Sequence, residues 1–516
     1  MSHVYNELVF IRKKKNVSGA VSVQIIDKSS GSYHVAKTIG SSRDPDEVER
    51  LLCKARAFLH PDERVQPRLF ATVLPDDAVV KNFLDGVAGA QIHTIGPELI
   101  FGSLFDSIGF NIVREEMFRH LVIARLAYPT SKLKTVDYLR RYRGIVIHED
   151  TIYRFLDTLN KEHKEKAEYI AYEHTRKTLG TISVVFYDMT TLYFDAEDED
   201  DLRKIGFSKD GKFQNPQIMV GLLVGAGGYP IGYDIFEGNT FEGKTLLPVL
   251  EKIEKKYGIG KVVVVADAAM LSHKNIAELT SHGYPFILGA RIKNENKSLQ
   301  KQILNQRMGM KDGDTFVITK TDGARLIISH SDKRAHKDAH NRDKGIKKLR
   351  TKVISGKLGK AQITNRGYNK FLTLSGEVTV AIDEEKVKKD TLWDGLKGYV
   401  TSTVLAPKEV IEHYSHLWQI EKAFRISKTD LRIRPIFHYK RRRIEAHMCI
   451  AFVAYAIWKE LERLLDKNGI CMSPRRAADL THTIYEIEYT LPQSKKTERK
   501  VLAMDAEQQQ LFGVLR

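Results

Sequence analysis

From Thr181 the chain is punctuated by apolar runs too short for helices and too β-branched for loops. "TISVVFYDMTTLYFD" (Thr181–Asp195) reads as a strand, and "NPQIMVGLLVGAGGYPIGYDIFEG" (Asn215–Gly238) as two strands around Gly227 and Gly228. The period then changes. "KTLLPVLEKIEKKYGIG" places apolar residues at helical spacing and stops at Gly258; "KVVVVADAAM" is a buried strand. "SHKNIAELTSHG" is a second helix, ended by Gly283, and "YPFILGARI" a further strand. Three strands in a meander followed by helix, strand, helix, strand predict an α/β layer fold.

On either side the pattern differs. Residues 1–60 suggest short strands, "YNELVFIRKKK", "AVSVQIID" and "YHVAKTIG". From Pro97 the spacing turns helical, and Ser131–Asn160 holds two helical stretches around Gly144, which suit either a helix-turn-helix presenting Lys134, Arg140, Arg141 and Arg154 to DNA or an ordinary helical hairpin. Residues 292–392 are polar, basic and strand-like, which predicts an insertion within the α/β domain. The apolar pattern resumes at Trp393. "YSHLWQIEKAFRISK" (Tyr414–Lys428) reads as one helix with Leu417, Ile420 and Phe424 on its apolar face, and Ala446–Trp458 as a buried helix too short to span a bilayer. The expected organisation is therefore 1–175, N-terminal strands and a helical, DNA-binding region; 181–291, the first part of the core; 292–392, a basic strand-rich insertion; 393–465, the second part of the core; and 466–516, an accessory helical tail.

Charge narrows the class of partner. The 516 residues carry a formal net charge of +17, and Ser331–Lys370 alone has 13 Lys/Arg against 3 Asp/Glu. Clustered positive charge of this size points to a polyanion, nucleic acid before membrane. Cys53, Cys449 and Cys471 form no C-x-x-C pair, and the first residues, "MSHVYNELVFIRKKK", have no apolar stretch of signal-peptide length, so a soluble protein of a reducing compartment is expected.

Against this basic background three acids stand out. Asp188 lies within an apolar strand and Asp267 ends "VVVVAD". A carboxylate on a core strand is costly unless it is paired or bound to a cation. Two of them, with Glu421 on a later helix as a third oxygen donor, form a donor set suited to Mg²⁺ or Mn²⁺ and to in-line displacement at a phosphate. Tyr414, Lys422, Arg425, Lys428 and Arg432 surround Glu421 with groups that bind DNA phosphate, and Lys347, Lys348 and Arg350 are the corresponding candidates in the basic segment. The bland alternative for Glu421 is a surface ion-pair helix.

These residues resemble the DDE transposases of bacterial insertion sequences, in the branch marked by a Tyr-x2-Arg-x3-Glu-x6-Lys signature. Tyr414, Glu421 and Lys428 stand at the signature's spacings, "YDMTT" and "ADAAM" resemble its first two acidic motifs, and "RRRIEAHMCIAF" resembles its basic-to-apolar helix. Leu417 replaces the signature arginine, and Ala269 stands where glycine is common. The resemblance implies an RNase H-like catalytic core interrupted by a strand-rich insertion, with Asp188, Asp267 and Glu421 as catalytic metal ligands. It further implies binding to the terminal inverted repeats and to target double-stranded DNA, cleavage and strand transfer with Mg²⁺ (or Mn²⁺), at least a dimer on DNA, no membrane association, and a prokaryotic, cytoplasmic, nucleoid-associated location.

Other readings are a catalytically inactive DNA-binding relative and a metal-dependent nuclease that cuts without joining. "GNTFEGKT" (Gly238–Thr245) also satisfies the P-loop pattern of nucleotide hydrolases. Glu242 would then face anionic phosphates, and the preceding strand is edge-like, both of which disfavour that motif. His330, His336 and His340 with Asp332 suggest zinc, but a solvated basic loop explains them better. Trp418 and Phe424 are expected in the core.

Overall fold

The valine-rich stretches around Asp188 and Asp267 pair as parallel neighbours in the computed structural model of the chain, and the rest of a large sheet is assembled outward from them. The structure describes residues 9–59, 80, 91–159, 161–268, 272–355, 363–364, 367–375, 379–491 and 494–515. Ala269 and Met270 of the second acidic motif lie outside the described residues, as do residues 1–8. The chain divides into two compact units, Met1–Ala88 and Gly89–Arg516.

In the first unit, strands β1 (Val9–Lys15), β2 (Val21–Asp27) and β3 (His34–Ser42) form an antiparallel sheet in that order. The helix Pro45–Leu59 covers it, burying Val48, Leu52 and Ala55 against Val23.

The second unit begins with strand β4 (Ile92–Thr94) and a run of helices that includes Glu116–Ala127, Lys132–Arg143, Glu149–Thr158 and Lys161–Leu179. The central strands follow: β5 (Val184–Tyr193), β6 (Gln217–Val224), β7 (Pro230–Glu237), β8 (Val263–Ala266) and β9 (Phe286–Ala290). β5, β6 and β7 are an antiparallel meander, while β8 and β9 run parallel to β5 on its other side. Beyond β9 the sheet continues with β14 (Leu396–Thr401), β11 (Arg325–His330) and β10 (Thr315–Thr319), all antiparallel to their neighbours.

The sheet is covered on both faces. Phe186, Val220, Val265, Ile287 and Tyr399 face the helices Trp418–Arg425 and Arg441–Lys467; Val185, Tyr187, Val264 and Leu288 face Leu246–Tyr257 and His273–Ser281. Alternation along each strand sends successive residues to opposite faces, which explains why the strands read as continuous apolar runs. The helix expected at Ala446–Trp458 is the middle of the 27-residue Arg441–Lys467. No helix among the described residues is long and apolar enough to cross a membrane.

Three expectations need correction. The segment 292–392 is not mainly strands: its longest element is the 23-residue helix Asp332–Ile354, accompanied by the helices Lys297–Arg307 and Glu384–Thr391. Its strands β10 and β11 belong to the central sheet, and only β12 (Leu372–Ser375) and β13 (Thr379–Ile382) pair apart from it. The single helix expected over Tyr414–Lys428 is broken: Pro407–Ser415 ends, Trp418–Arg425 begins, and Ile426–Asp430 widens into a π turn. The C-terminal segment is not purely helical, because β15 (Tyr485–Thr490) and β16 (Thr497–Val501) form a hairpin that pairs with β4.

Candidate active site

The paired register of β5 and β8 ends at Tyr187 opposite Ala266, so the next residues are Asp188, still within β5, and Asp267, the first residue beyond β8. Neighbouring strands lie about 4.8 Å apart, which puts the two carboxylates side by side at the C-terminal end of β8. By alternation each shares a face with Phe186 or Val265, the face on which the Glu421 helix packs. The Met189 N–H donates to Asp188 Oδ1 at 2.7 Å. Burial raises the Asp188 carboxyl from its ordinary range to about 6, and the charges of Asp267 and Glu242 add to the shift while Lys209 opposes it.

Lys209 comes from the long connection between β5 and β6. Its Nζ lies 2.8 Å from Glu242 Oε1 and 3.7 Å from Asp188 Oδ1, and it donates to the Met189 carbonyl at 2.5 Å. Burial disfavours its charge, but Asp188, Glu242 and Asp267 outweigh that and hold the ammonium above the usual lysine range.

The third acid approaches on the helix Trp418–Arg425, whose Ile420, Ala423 and Phe424 are buried and whose Glu421 is exposed. Tyr414 connects it with the strand acids. Burial pushes the Tyr414 hydroxyl up to about 12, and the charges of Asp267, Glu421 and the neighbouring Tyr399 contribute. The hydroxyl lies over Gly289, where a Cβ would stand 2.4 Å away, so the backbone of β9 must be bare at this point. Lys397 Nζ sits 4.4 Å from the centre of the Tyr414 ring, and its charge is supported by Glu421 against burial and Arg334.

The structure thus brings Asp188 and Asp267 together and leads Glu421 toward them. Among the described residues no three carboxylate, His or Cys side chains stand close enough to hold an ion between them. The donor chemistry nevertheless suits Mg²⁺ or Mn²⁺: the candidates are all hard oxygens, and burial, with the charge of Asp267 added, lifts the Asp188 carboxyl.

The phosphate-binding candidates separate into groups. Lys428 is engaged by Asp210 at 3.2 Å, beside Arg434 at 2.6 Å from the same carboxylate. Lys422 is turned away and paired with Glu462 of the long helix. Arg425 and Arg432 are exposed, and Arg432 adopts φ 46°, which turns the chain after the π turn. Lys347 and Lys348 are exposed on Asp332–Ile354, whereas Arg350 pairs with Glu384 at 2.9 Å. In the N-terminal helical pair, Arg140 and Arg141 both bind Asp137.

Trp418 is not in the core; it is 52% exposed because it opens its helix on the side away from Ile420. The segment of His336 and His340 is helix, not loop, and His336 Nδ1 meets the Asp332 carbonyl of its own first turn. The P-loop candidate follows the edge strand β7, which runs antiparallel to its neighbour, and Thr245 is buried with its hydroxyl bonded to Tyr187 and to the Glu242 carbonyl. A P-loop needs that hydroxyl for a metal ion and follows a parallel strand. Lys209, Asp210 and Lys397 were not singled out by the sequence. A "SKD" triplet within the β5–β6 connection was the available signal.

The family described as transposase DDE domain matches residues 180–457. The chain belongs to this transposase family. The matched span starts just before β5, contains Asp188, Asp267 and Glu421, and ends within Arg441–Lys467. No curated protein matches the chain. Among solved structures, this transposase-family chain is remotely similar to a piggyBac transposase synaptic complex with hairpin DNA, at 8% identity and a TM-score of 0.39 over 75% of this chain and 78% of that one. It is also similar to a Mos1 transposase paired-end complex with left transposon end, at 10% identity and a TM-score of 0.16 over 34% and 58% of the two chains.

Proposed function

We propose that the protein is the transposase of a bacterial insertion sequence, of the branch with the Tyr-Arg-Glu-Lys signature, and that it binds terminal inverted repeats, cuts one strand at each end and joins the ends to target DNA. The observation that carries this reading is the placement of Asp188, in the middle of β5, beside Asp267, just past the end of the parallel strand β8, on the face where the Glu421 helix packs. The order β7-β6-β5-β8-β9, with its antiparallel meander and parallel flank, supports an RNase H-like core.

In this mechanism Asp188, Asp267 and Glu421 hold Mg²⁺ or Mn²⁺, which supplies Lewis acidity for in-line displacement at phosphorus. A water oxygen attacks the end phosphate and the 3′ oxygen leaves, taking a proton. The freed 3′-hydroxyl then attacks a target phosphodiester and displaces a target 3′ oxygen. Tyr414, whose hydroxyl feels the charges of Asp267 and Glu421, orients the cleaved strand, while Arg425 binds its phosphates beside the acids, Lys428 joins where its pairing with Asp210 opens, and Arg432 binds phosphate farther from the acids, after the π turn. Lys347, Lys348 and Arg350 track DNA farther along. Lys422 takes part only where its pairing with Glu462 opens. Two ends must be processed together, so the working complex is at least a dimer, acting at the nucleoid in the cytoplasm.

The test is incubation of the protein with a duplex carrying the DNA that flanks its gene, with Mg²⁺ or Mn²⁺. Nicking at the repeat boundary, followed by joining to a second duplex, is expected. Stable binding to the repeat with no cleavage in either metal would leave a DNA-binding protein and reject the enzyme.

A further inference from the structure

Away from the three acids, the start of Lys132–Arg143 and the chain that follows the π turn enclose a recess of about 250 Å³ lined by Arg125, Lys132, Arg432, Arg434, His438 and His447. Among the described residues no Asp or Glu lines it. Arg125 and Lys132 are each only 6% exposed. The Arg125 guanidinium donates to the carbonyls of Leu431 and Arg432 at 3.3 Å, and no carboxylate among the described residues pairs with the Lys132 ammonium. His447 places Nε2 3.0 Å from the Ile433 carbonyl, and its buried Nδ1 has no hydrogen-bond partner. Of the lining cations Arg434 has an acidic partner, Asp210, which also holds Lys428; Asp157, whose charge reaches His438, is engaged by Arg442 and Arg443.

Buried positive charge without protein counter-charge is costly, and a cluster of it is rarely kept without a use. The strain appears in the buried members, Arg125, Lys132, His438 and His447. Burial and the neighbouring Arg125 hold Lys132 well below the lysine range; burial brings Arg125 to about 10; burial, then Lys132, Arg443 and Arg125, bring His438 to about 4. Thr130 and Ser131 line the recess at the N-terminal end of a 12-residue helix, where backbone dipoles also favour an anion. The recess is smaller than the roughly 300 Å³ at which sites for whole small molecules begin, so it suits one phosphate group and not a complete nucleotide. Arg432 and Phe437, both exposed, stand at its edge, where a strand of DNA can pass.

We propose that this recess is a phosphate-binding site in which Arg125, Lys132, Arg432 and His447 seat a single phosphate group. Two sources share that chemistry: a backbone phosphate of bound DNA, which the arrangement favours, and free inorganic phosphate. The DNA source rests on the transposase reading; the phosphate chemistry stands on the recess alone.

Calorimetric titration of the full-length protein with inorganic phosphate, at ionic strength matched with chloride, tests it. One phosphate per chain is expected, with affinity lowered at least tenfold in Lys132→Gln and in Arg432→Gln. Arg432 is exposed, so its variant gives an answer even if Lys132→Gln does not fold. Absence of phosphate binding beyond the chloride control, or folded variants that bind as the wild type does, would overturn the site. Displacement of phosphate by a repeat-end duplex identifies DNA as the source, and retention of phosphate in the DNA complex identifies the free anion. A protein that binds phosphate in this way but never cleaves DNA would reject the transposase mechanism and leave the site standing.

Discussion

Asp210 accepts Lys428 Nζ at 3.2 Å and Arg434 at 2.6 Å, so the connection that carries Lys209 into the acids also fastens the π turn after the Glu421 helix. Adjacent residues of one loop thereby link the strand of Asp188 to the segment of Glu421. Asp210→Asn leaves two largely buried cations without their carboxylate, which should cost about 3 kcal/mol in denaturant unfolding. It should also lower the cleavage rate at least tenfold with repeat binding retained. Wild-type cleavage by this variant would remove Asp210 from any role in holding the site.

Replacing the acids separates chemistry from binding. Asp188→Ala, Asp267→Ala and Glu421→Ala should each abolish Mg²⁺-dependent cleavage of a repeat-end duplex, whereas gel-shift affinity should change little, because the phosphate contacts persist. Cleavage at the wild-type rate in Glu421→Ala would show that the exposed third acid is not a ligand.

The raised carboxyl of Asp188 has a defined pH signature. Its folded value of about 6 lies above the ordinary 3.8, so the folded state holds the proton more tightly than the unfolded one. The stability this provides is complete below about pH 4 and is lost as pH rises through 6. Asp188→Asn should therefore be more stable than the wild type at pH 7.5, by about 2 kcal/mol after allowance for partial exposure, and the difference should vanish near pH 4. Mg²⁺ should raise the melting temperature of the wild type more than that of the variant, which reduces the gap. Thermal scans across pH, with EDTA or Mg²⁺, measure both effects; parallel curves at all pH values would contradict the assignment.

The basic helix Asp332–Ile354 gives a salt-dependence test. Lys347 and Lys348 are exposed, but Arg350 already has Glu384 as a partner. Replacing all three with Ala should flatten the slope of log affinity against log salt by about two units, one for each unpaired lysine, and weaken binding to all duplexes alike. A slope equal to that of the wild type would take DNA off this helix.

Much of the core was legible because its signals are local. β5 and β8 are largely apolar, so Asp188 within the first and Asp267 just after the second are conspicuous; Glu421 was picked out as a candidate by its spacing from Tyr414 and Lys428. The helix Asp332–Ile354 was not, because lysine, histidine and aspartate mask its periodicity and only Arg342, Gly345, Ile346 and Leu349 are buried. β10 and β11 join the main sheet through β14, a partner that lies beyond an intervening long helix and a hairpin, and no short-range pattern encodes such a pairing. The same holds for Lys209 and Asp210, loop residues defined by the distant acids and cations they meet.

The order of the acids along the chain has a consequence for synthesis. Asp188 and Asp267 lie on strands completed well before β14 can add to β9 and before the Glu421 helix exists. At roughly 5–20 residues per second, the ribosome releases Glu421 on the order of ten to thirty seconds after Asp267. A nascent or prematurely terminated chain therefore carries both strand acids without the third. In the proposed mechanism, the cutting centre is therefore complete only in a polypeptide that has already made the basic helix Asp332–Ile354.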